Sequence, residues 1–233
     1  HLDELVAASQ RPFAVFPIAY EHHVGALLPH LNPIRSAAVI LNTRAQAQLE
    51  EGNVESAHRD AMAAFQLAKM IEPEPILISG LVQIYALKSS LQTLWDGLDR
   101  HAWNESQLIE FERSLIRINL AQQFQHSLRG ERTILLLAFE QCHNNPKFTA
   151  QLFDGSDDEV FLFRFQPSGW INNAKAAMVE THLDLFMPIA DPMTSRFDTV
   201  RAAKAGTALK ERISRHPIRE WMFGMTFPAI GRA

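Results

Sequence analysis

The sequence predicts an all-α protein built from stacked antiparallel helical pairs, a tetratricopeptide-like or α-solenoid-like array, and three observations carry that prediction. Residues 37–73 hold Leu41, Ala45, Leu49, Gly52, Ala57, Ala61, Ala64, Phe65 and Ala68 at the spacing of two helices joined by a tight turn. Within them, the small residues Ala57, Ala61, Ala64 and Ala68 recur every three or four positions, so one helix face can approach its neighbour closely, and Gly52-Asn53 supplies the turn and the next N-cap. Apolar stripes of helical period then continue as far as Cys142.

Residues 1–32 read as an irregular N-terminal arm, because Pro12, Pro17, Pro29 and Pro33 forbid a long helix and favour extended packing segments. A first helix is predicted to start after Asn32 with Pro33 in its first turn and to run to about Glu51 on the stripe Ile34, Ala38, Leu41, Ala45 and Leu49. The second spans Val54 to about Ile71 and stops before Pro73. A third opens at Pro75 and carries Leu77, Leu81, Ile84, Leu87, Leu91, Leu94, Trp95 and Leu98, a face wide enough to predict a central helix. Asn104 followed by Gln107 has the form of a capping box, and Leu108, Phe111, Leu115, Ile118 and Phe124 extend the helix it opens into one long fourth helix, with Gly130 as a point of bending or close contact. Asn144-Asn145-Pro146 ends it. Residues 147–167 change pattern, with an acidic turn at 154–159 and Phe161, Phe163 and Phe165 alternating with other side chains, and read as a loop or short hairpin lying over a groove. Helix is expected again from Ser168 to Met187 and from about Thr194 to Arg215. No linker rich in Gly, Ser or Pro divides the chain, so residues 1–233 read as one helical domain: an arm over 1–32, a core over 33–145, an insert over 146–167 and C-terminal helices over 168–233.

Composition narrows the function classes. The net charge is −4 and the cations are scattered rather than gathered into a stripe, which argues against a nucleic-acid partner. One cysteine, Cys142, allows no internal disulfide and reads as a small buried helix residue. The longest apolar run, residues 133–139, is too short to span a bilayer, so no direct membrane insertion of this stretch is expected. His1 at the start and the apolar residues 221–230 near the end read as the boundaries of a fragment of a longer chain.

The pair at 37–73 loosely resembles a tetratricopeptide repeat, with Gly52, Ala57, Ala61 and Ala64 at matching positions and Pro73 at the end. More widely, Leu28-Pro29-His30, the Gly52 pair, Glu74-Pro75 followed by Leu77-Ile78, the run 101–108, Leu128 with Arg129-Gly130-Glu131-Arg132, and Pro167-Ser168-Gly169-Trp170 followed by Asn173 resemble the helical region of uncharacterised bacterial envelope proteins. Those proteins carry an N-terminal membrane segment and a C-terminal pseudopilin-like module. The resemblance implies a cell-envelope or periplasmic location with membrane anchoring of the full-length protein, and it implies no activity.

No nucleophile elbow, phosphate-binding loop or dinucleotide fingerprint is present. Glu21-His22-His23, with His30 nearby, is the densest set of metal-ligand types, yet adjacent histidines diverge on a regular element, so neither a metal nor a cofactor is expected. The expected function is a non-enzymatic scaffold that binds a protein or peptide in the groove of the array, with Arg129, Arg132, Trp170 and Asn173 as contact residues. The alternative is an envelope hydrolase using Glu131 and His126 for general acid or base work beside Arg132 and Trp170. The oligomeric state is not legible.

Overall fold

The computed structural model describes residues 1–145, 148 and 167–216. The predicted insert over 146–167, apart from residues 148 and 167, and the apolar segment 221–230 lie outside the described residues. The described chain is mostly helical, with one two-stranded hairpin, and it divides into two units: residues 1–18 with 27–123, and residues 19–26 with 124–233.

In the first unit, α1 (Leu2–Ser9) precedes the hairpin of α2 (Leu31–Glu50) and α3 (Val54–Met70), then α4 (Leu77–Asp99) and α5 (Glu105–Ile116). The arm is therefore not wholly irregular: α1 buries Val6 and packs on α3, and its Asp3 carboxylate accepts from the Arg44 guanidinium at 3.2 Å. The turn between α2 and α3 closes as a Schellman motif. Gly52 sits at φ +75°, with the Asn53 N–H donating to the Gln48 carbonyl at 2.8 Å and the Gly52 N–H to Leu49 at 3.2 Å. Asn53 stands at the N-cap of α3 without a side-chain capping bond.

α3 is the helix at the centre. It packs against α1, α2, α4 and α5, and Ala57, Ala61, Ala63, Ala64, Phe65, Leu67 and Ala68 are all buried on it. Its alanines let the surrounding backbones close in, and Phe65 and Phe111 fill the space left between them with ring centroids 6.0 Å apart. One charge is carried into this core: Asp60 has no exposed surface and receives a bidentate fork from Arg44 at 2.5 and 2.8 Å.

α4 runs parallel to α2, because the contacts advance together along both helices. Arg35 lies over the Tyr85 ring at 5.5 Å, Asn42 donates to Ser89 and Ser90 at 3.2 and 3.1 Å, Gln46 donates to Asp96 at 2.8 Å, and Glu50 pairs with Arg100. Asn42 also accepts from Thr93 at 3.3 Å, so a buried polar ladder fixes the register of the two helices. The third helix of the sequence reading is thus an outer helix rather than the central one. α4 ends in a second Schellman turn, where His101 occupies the left-handed position at φ 51°. Beyond it Trp103 folds back against Gly97 and donates its indole N–H to the Leu94 carbonyl at 2.9 Å.

The capping box at Asn104 and Gln107 is formed in both directions and starts α5. The predicted fourth helix is interrupted, however. α5 stops at Ile116, and α6 (Leu120–Asn144) begins afresh with the Asn119 side chain accepting from the Gln122 N–H at 2.9 Å. α6 then continues through Gly130 as a single element.

In the second unit, α7 (Ser168–Thr181) runs into a π-helical turn (His182–Phe186) and a 3₁₀ turn (Met187–Ile189), followed by β1 (Ala190–Asp191), β2 (Arg196–Phe197) and α8 (Thr199–Arg215). The core joins Leu135, Phe139 and Cys142 of α6 to Ala174 and Met178 of α7 and Leu209 of α8. The predicted last helix starts five residues late because the antiparallel pairs Ala190–Phe197 and Asp191–Arg196 occupy the preceding residues and Asp198 caps the Arg201 N–H at 2.9 Å.

Candidate functional site

The first unit exposes one surface that ordinary folding does not account for. α4 carries two stripes on opposite faces, each stepping by alternate intervals of four and three. The buried stripe is Ser79, Gln83, Ala86, Ser90, Thr93 and Gly97, which are small or polar side chains turned toward the body of the unit, with Leu87 and Leu94 buried along one edge of it. The outer stripe is Leu81, Ile84, Lys88, Leu91, Trp95 and Leu98, flanked by Ile78 and Tyr85, and every one of these is exposed. Leu81 is 59% exposed and Trp95 is 68% exposed.

Local chemistry explains the inversion. Two helices approach closely only where side chains are small, and the serines, threonine and glycine of the inner stripe let α4 lie near α2 while satisfying Asn42. At Gly97 a Cβ atom would stand 2.1 Å from the Trp103 ring, so glycine is required for that contact. Leucine, isoleucine or tryptophan at these six positions would force the helices apart. At roughly 150–250 Å² for a full large side chain, these exposures leave on the order of 600–700 Å² of apolar surface along α4, at or above the largest patch of a typical monomer.

The residues singled out in the sequence lie in the second unit. Arg129 is exposed on α6 and donates to Gln125 at 3.1 Å, one helical turn back. His126, Glu131 and Arg132 are half-buried on the same helix. Five residues apart on a regular helix, His126 and Glu131 leave the axis about 140° apart, so α6 by itself aims them in different directions. Arg132 is brought near His182, and its charge adds to the effect of burial in pushing that imidazole below its ordinary range, against the hydrogen bond to the Met178 carbonyl at 3.0 Å. Trp170 and Asn173 stand one turn apart on α7, both exposed. Cys142 is buried in the core.

Of the candidate metal ligands, His30 is held by Glu74 at 2.7 Å and stacks on Phe16 at 4.3 Å, while the other Glu74 oxygen accepts from Ser79 at 2.5 Å. That carboxylate ties the start of α2 to the start of α4. His23 engages the Glu21 carbonyl at 2.6 Å. Among the described residues no three His, Cys, Asp or Glu side chains gather as a metal site, and no helix is long and apolar enough to cross a membrane.

The sequence reading places Leu87 and Leu94 correctly in the core and puts Leu81, Ile84, Leu91, Trp95 and Leu98 on the wrong side. The signal that separates the faces is the second stripe: six small or polar residues at strict heptad intervals opposite six large ones. Comparison of the chain with protein-family models, with curated proteins and with solved structures returns no match.

Proposed function

We propose that this chain is a non-enzymatic helical scaffold that recognises a polypeptide through the apolar outer face of α4. The single observation that carries the reading is the exposed stripe from Leu81 to Leu98 on a helix whose opposite side is already packed in the core through small and polar residues with Leu87 and Leu94. A surface of that size and regularity is suited to an amphipathic helix laid along it. The order of α2, α3, α4 and α5, with α2 and α4 parallel and α3 between them, supports a tetratricopeptide-like stack. In such stacks each layer buries its apolar face on the next, and an outermost helix with an apolar face calls for a further layer. The resemblance of the sequence to envelope proteins supports a place in the cell envelope, tied to the membrane by parts of a longer chain. Arg129, Arg132, Trp170 and Asn173 would form a separate, secondary contact surface.

Affinity capture with the wild-type chain beside a Leu81→Glu/Trp95→Glu variant tests this, followed by calorimetry with each purified partner. The expected result is a partner whose binding is reproduced with purified components and falls at least about tenfold in the variant, a loss of about 1.4 kcal/mol. Equal binding by both forms would remove α4 from the function.

A further inference from the structure

Resting on the reading of α4 as a recognition face, we infer that its occupant is a second copy of this chain, docked with its own α4 antiparallel across a two-fold axis. The stripe is self-complementary. With the axis passing between Ser89 and Ser90, Leu81 meets Leu98 of the other copy, Ile84 meets Trp95, and Lys88 meets Leu91, each contact occurring twice. These are the alternating layers of an antiparallel helix pair with knobs at heptad positions.

Charge selects the antiparallel arrangement. Parallel pairing in the same register would set Lys88 against its own copy inside an apolar seam and would gather Asp96 and Asp99 of both chains at one end. Antiparallel pairing lays the aliphatic stem of Lys88 over a leucine with its ammonium outward. It also brings Asp99 of each copy beside the first turn of the other α4, where the helix dipole is positive. The area agrees as well. On the order of 600–700 Å² of apolar surface from α4, widened by Arg35 and Gln92 at the margins, approaches the ~800 Å² per partner of a standard-size stable interface.

Sedimentation velocity of the full chain over a wide concentration range tests the inference, with far-UV circular dichroism to show that each variant remains folded. The wild type is expected to be a reversible dimer. Leu81→Glu and Trp95→Glu, each of which buries two charges in the apolar seam, weaken association at least about 30-fold; Lys88→Leu tightens it, and Ile116→Glu, more exposed than either but on α5, leaves it unchanged. Register is read by mixing Leu81→Cys with Leu98→Cys chains. A disulfide forms between the two kinds of chain in the antiparallel dimer, whereas Leu81→Cys linking to itself indicates parallel pairing and overturns the arrangement. A wild type that stays monomeric at about 100 μM, or a dimer that survives both glutamate variants, overturns self-association. If the monomer still binds another purified polypeptide and loses it with Trp95→Glu, the scaffold reading stands and only the identity of the occupant falls; if it binds nothing through α4, both fall.

Discussion

α3 and α4 are neighbours in the first unit, and they distribute their side chains in opposite ways. α3 is rich in alanine and is buried on nearly every side, with Glu55 and Arg59 as its outward-facing charges. α4 is richer in large apolar residues and turns most of them outward. The content of large hydrophobic side chains therefore does not determine which helix is central. Close approach does, because a helix surrounded by four others must be thin, and alanine makes it so. A helix that buries serine, threonine and glycine with only two of its leucines, Leu87 and Leu94, while exposing Leu81, Leu91, Trp95 and Leu98, has an apolar face available for a contact outside the fold.

The sharpest way to break this comparison is to truncate one large residue on each helix. Phe65→Ala removes a fully buried ring in contact with Phe111 and is expected to cost about 3–5 kcal/mol of unfolding free energy in urea. Trp95→Ala, measured dilute enough for single copies, should change stability by about 0.5 kcal/mol or less. Similar losses at both positions would mean that the outer face of α4 is core.

A second test concerns the charge inside the α3 packing. Arg44→Ala leaves the Asp60 carboxylate without its fork and is expected to destabilise by about 3 kcal/mol. Arg44→Met combined with Asp60→Leu should recover most of that loss, since a desolvated ion pair and an apolar pair of similar volume are often nearly equivalent. No recovery would assign the damage to lost helix contacts rather than to the stranded charge.

His58, on the α5 side of α3, gives the same core a pH dependence. Its ring lies 4.9 Å from Phe111 and 6.2 Å from Trp103, and burial pushes its pKa below the ordinary 6.5 despite Glu110 at 3.6 Å and a bond to the Gln107 backbone, both of which oppose the shift. The folded state then binds fewer protons than the unfolded chain. Stability is full above pH 6.5, begins to fall as pH drops through that value, and levels off below the folded pKa. Denaturation midpoints at pH 7.5 and 5.5 should show this loss, and His58→Phe should reduce it. His182 contributes in the same direction in the second unit, through burial first and the charge of Arg132 in addition.

Much of the architecture was legible because its determinants are local. Gly52 at a left-handed turn, the Asn104/Gln107 box and the alanine spacing of α3 each specify backbone geometry within a few residues. The break at Asn119 is hidden in the sequence although Asn119-x-x-Gln122 has the same form as the box at Asn104, because a continuous apolar stripe runs across it. α1 is short, and Pro12 and Pro17 just beyond it give the arm as a whole an extended signature. The orientation of α4 was harder still. Two stripes of equal period are both consistent with a buried face, and choosing between them requires the partner: Asn42, forty-eight residues from Ser90, is what turns the polar stripe inward. The candidate residues on α6 and α7 stand out in the sequence by side-chain chemistry, which says nothing about the direction in which a helix aims them.

The smallest expected effect tests whether the end of α4 is built as economically as the end of α2. Both helices finish in Schellman turns that need a residue at positive φ, and one has Gly52 at +75° while the other has His101 at +51°. A side chain with a Cβ atom in that conformation carries strain that glycine lacks, set against the greater entropy glycine loses on folding. His101 is exposed, so its imidazole adds no buried packing to offset the strain. His101→Gly is therefore expected to stabilise the first unit by about 0.5–1 kcal/mol, read as a raised urea midpoint with an unchanged slope. A loss of stability instead would show that the histidine side chain makes a contribution at the end of α4 that its backbone angle alone does not reveal.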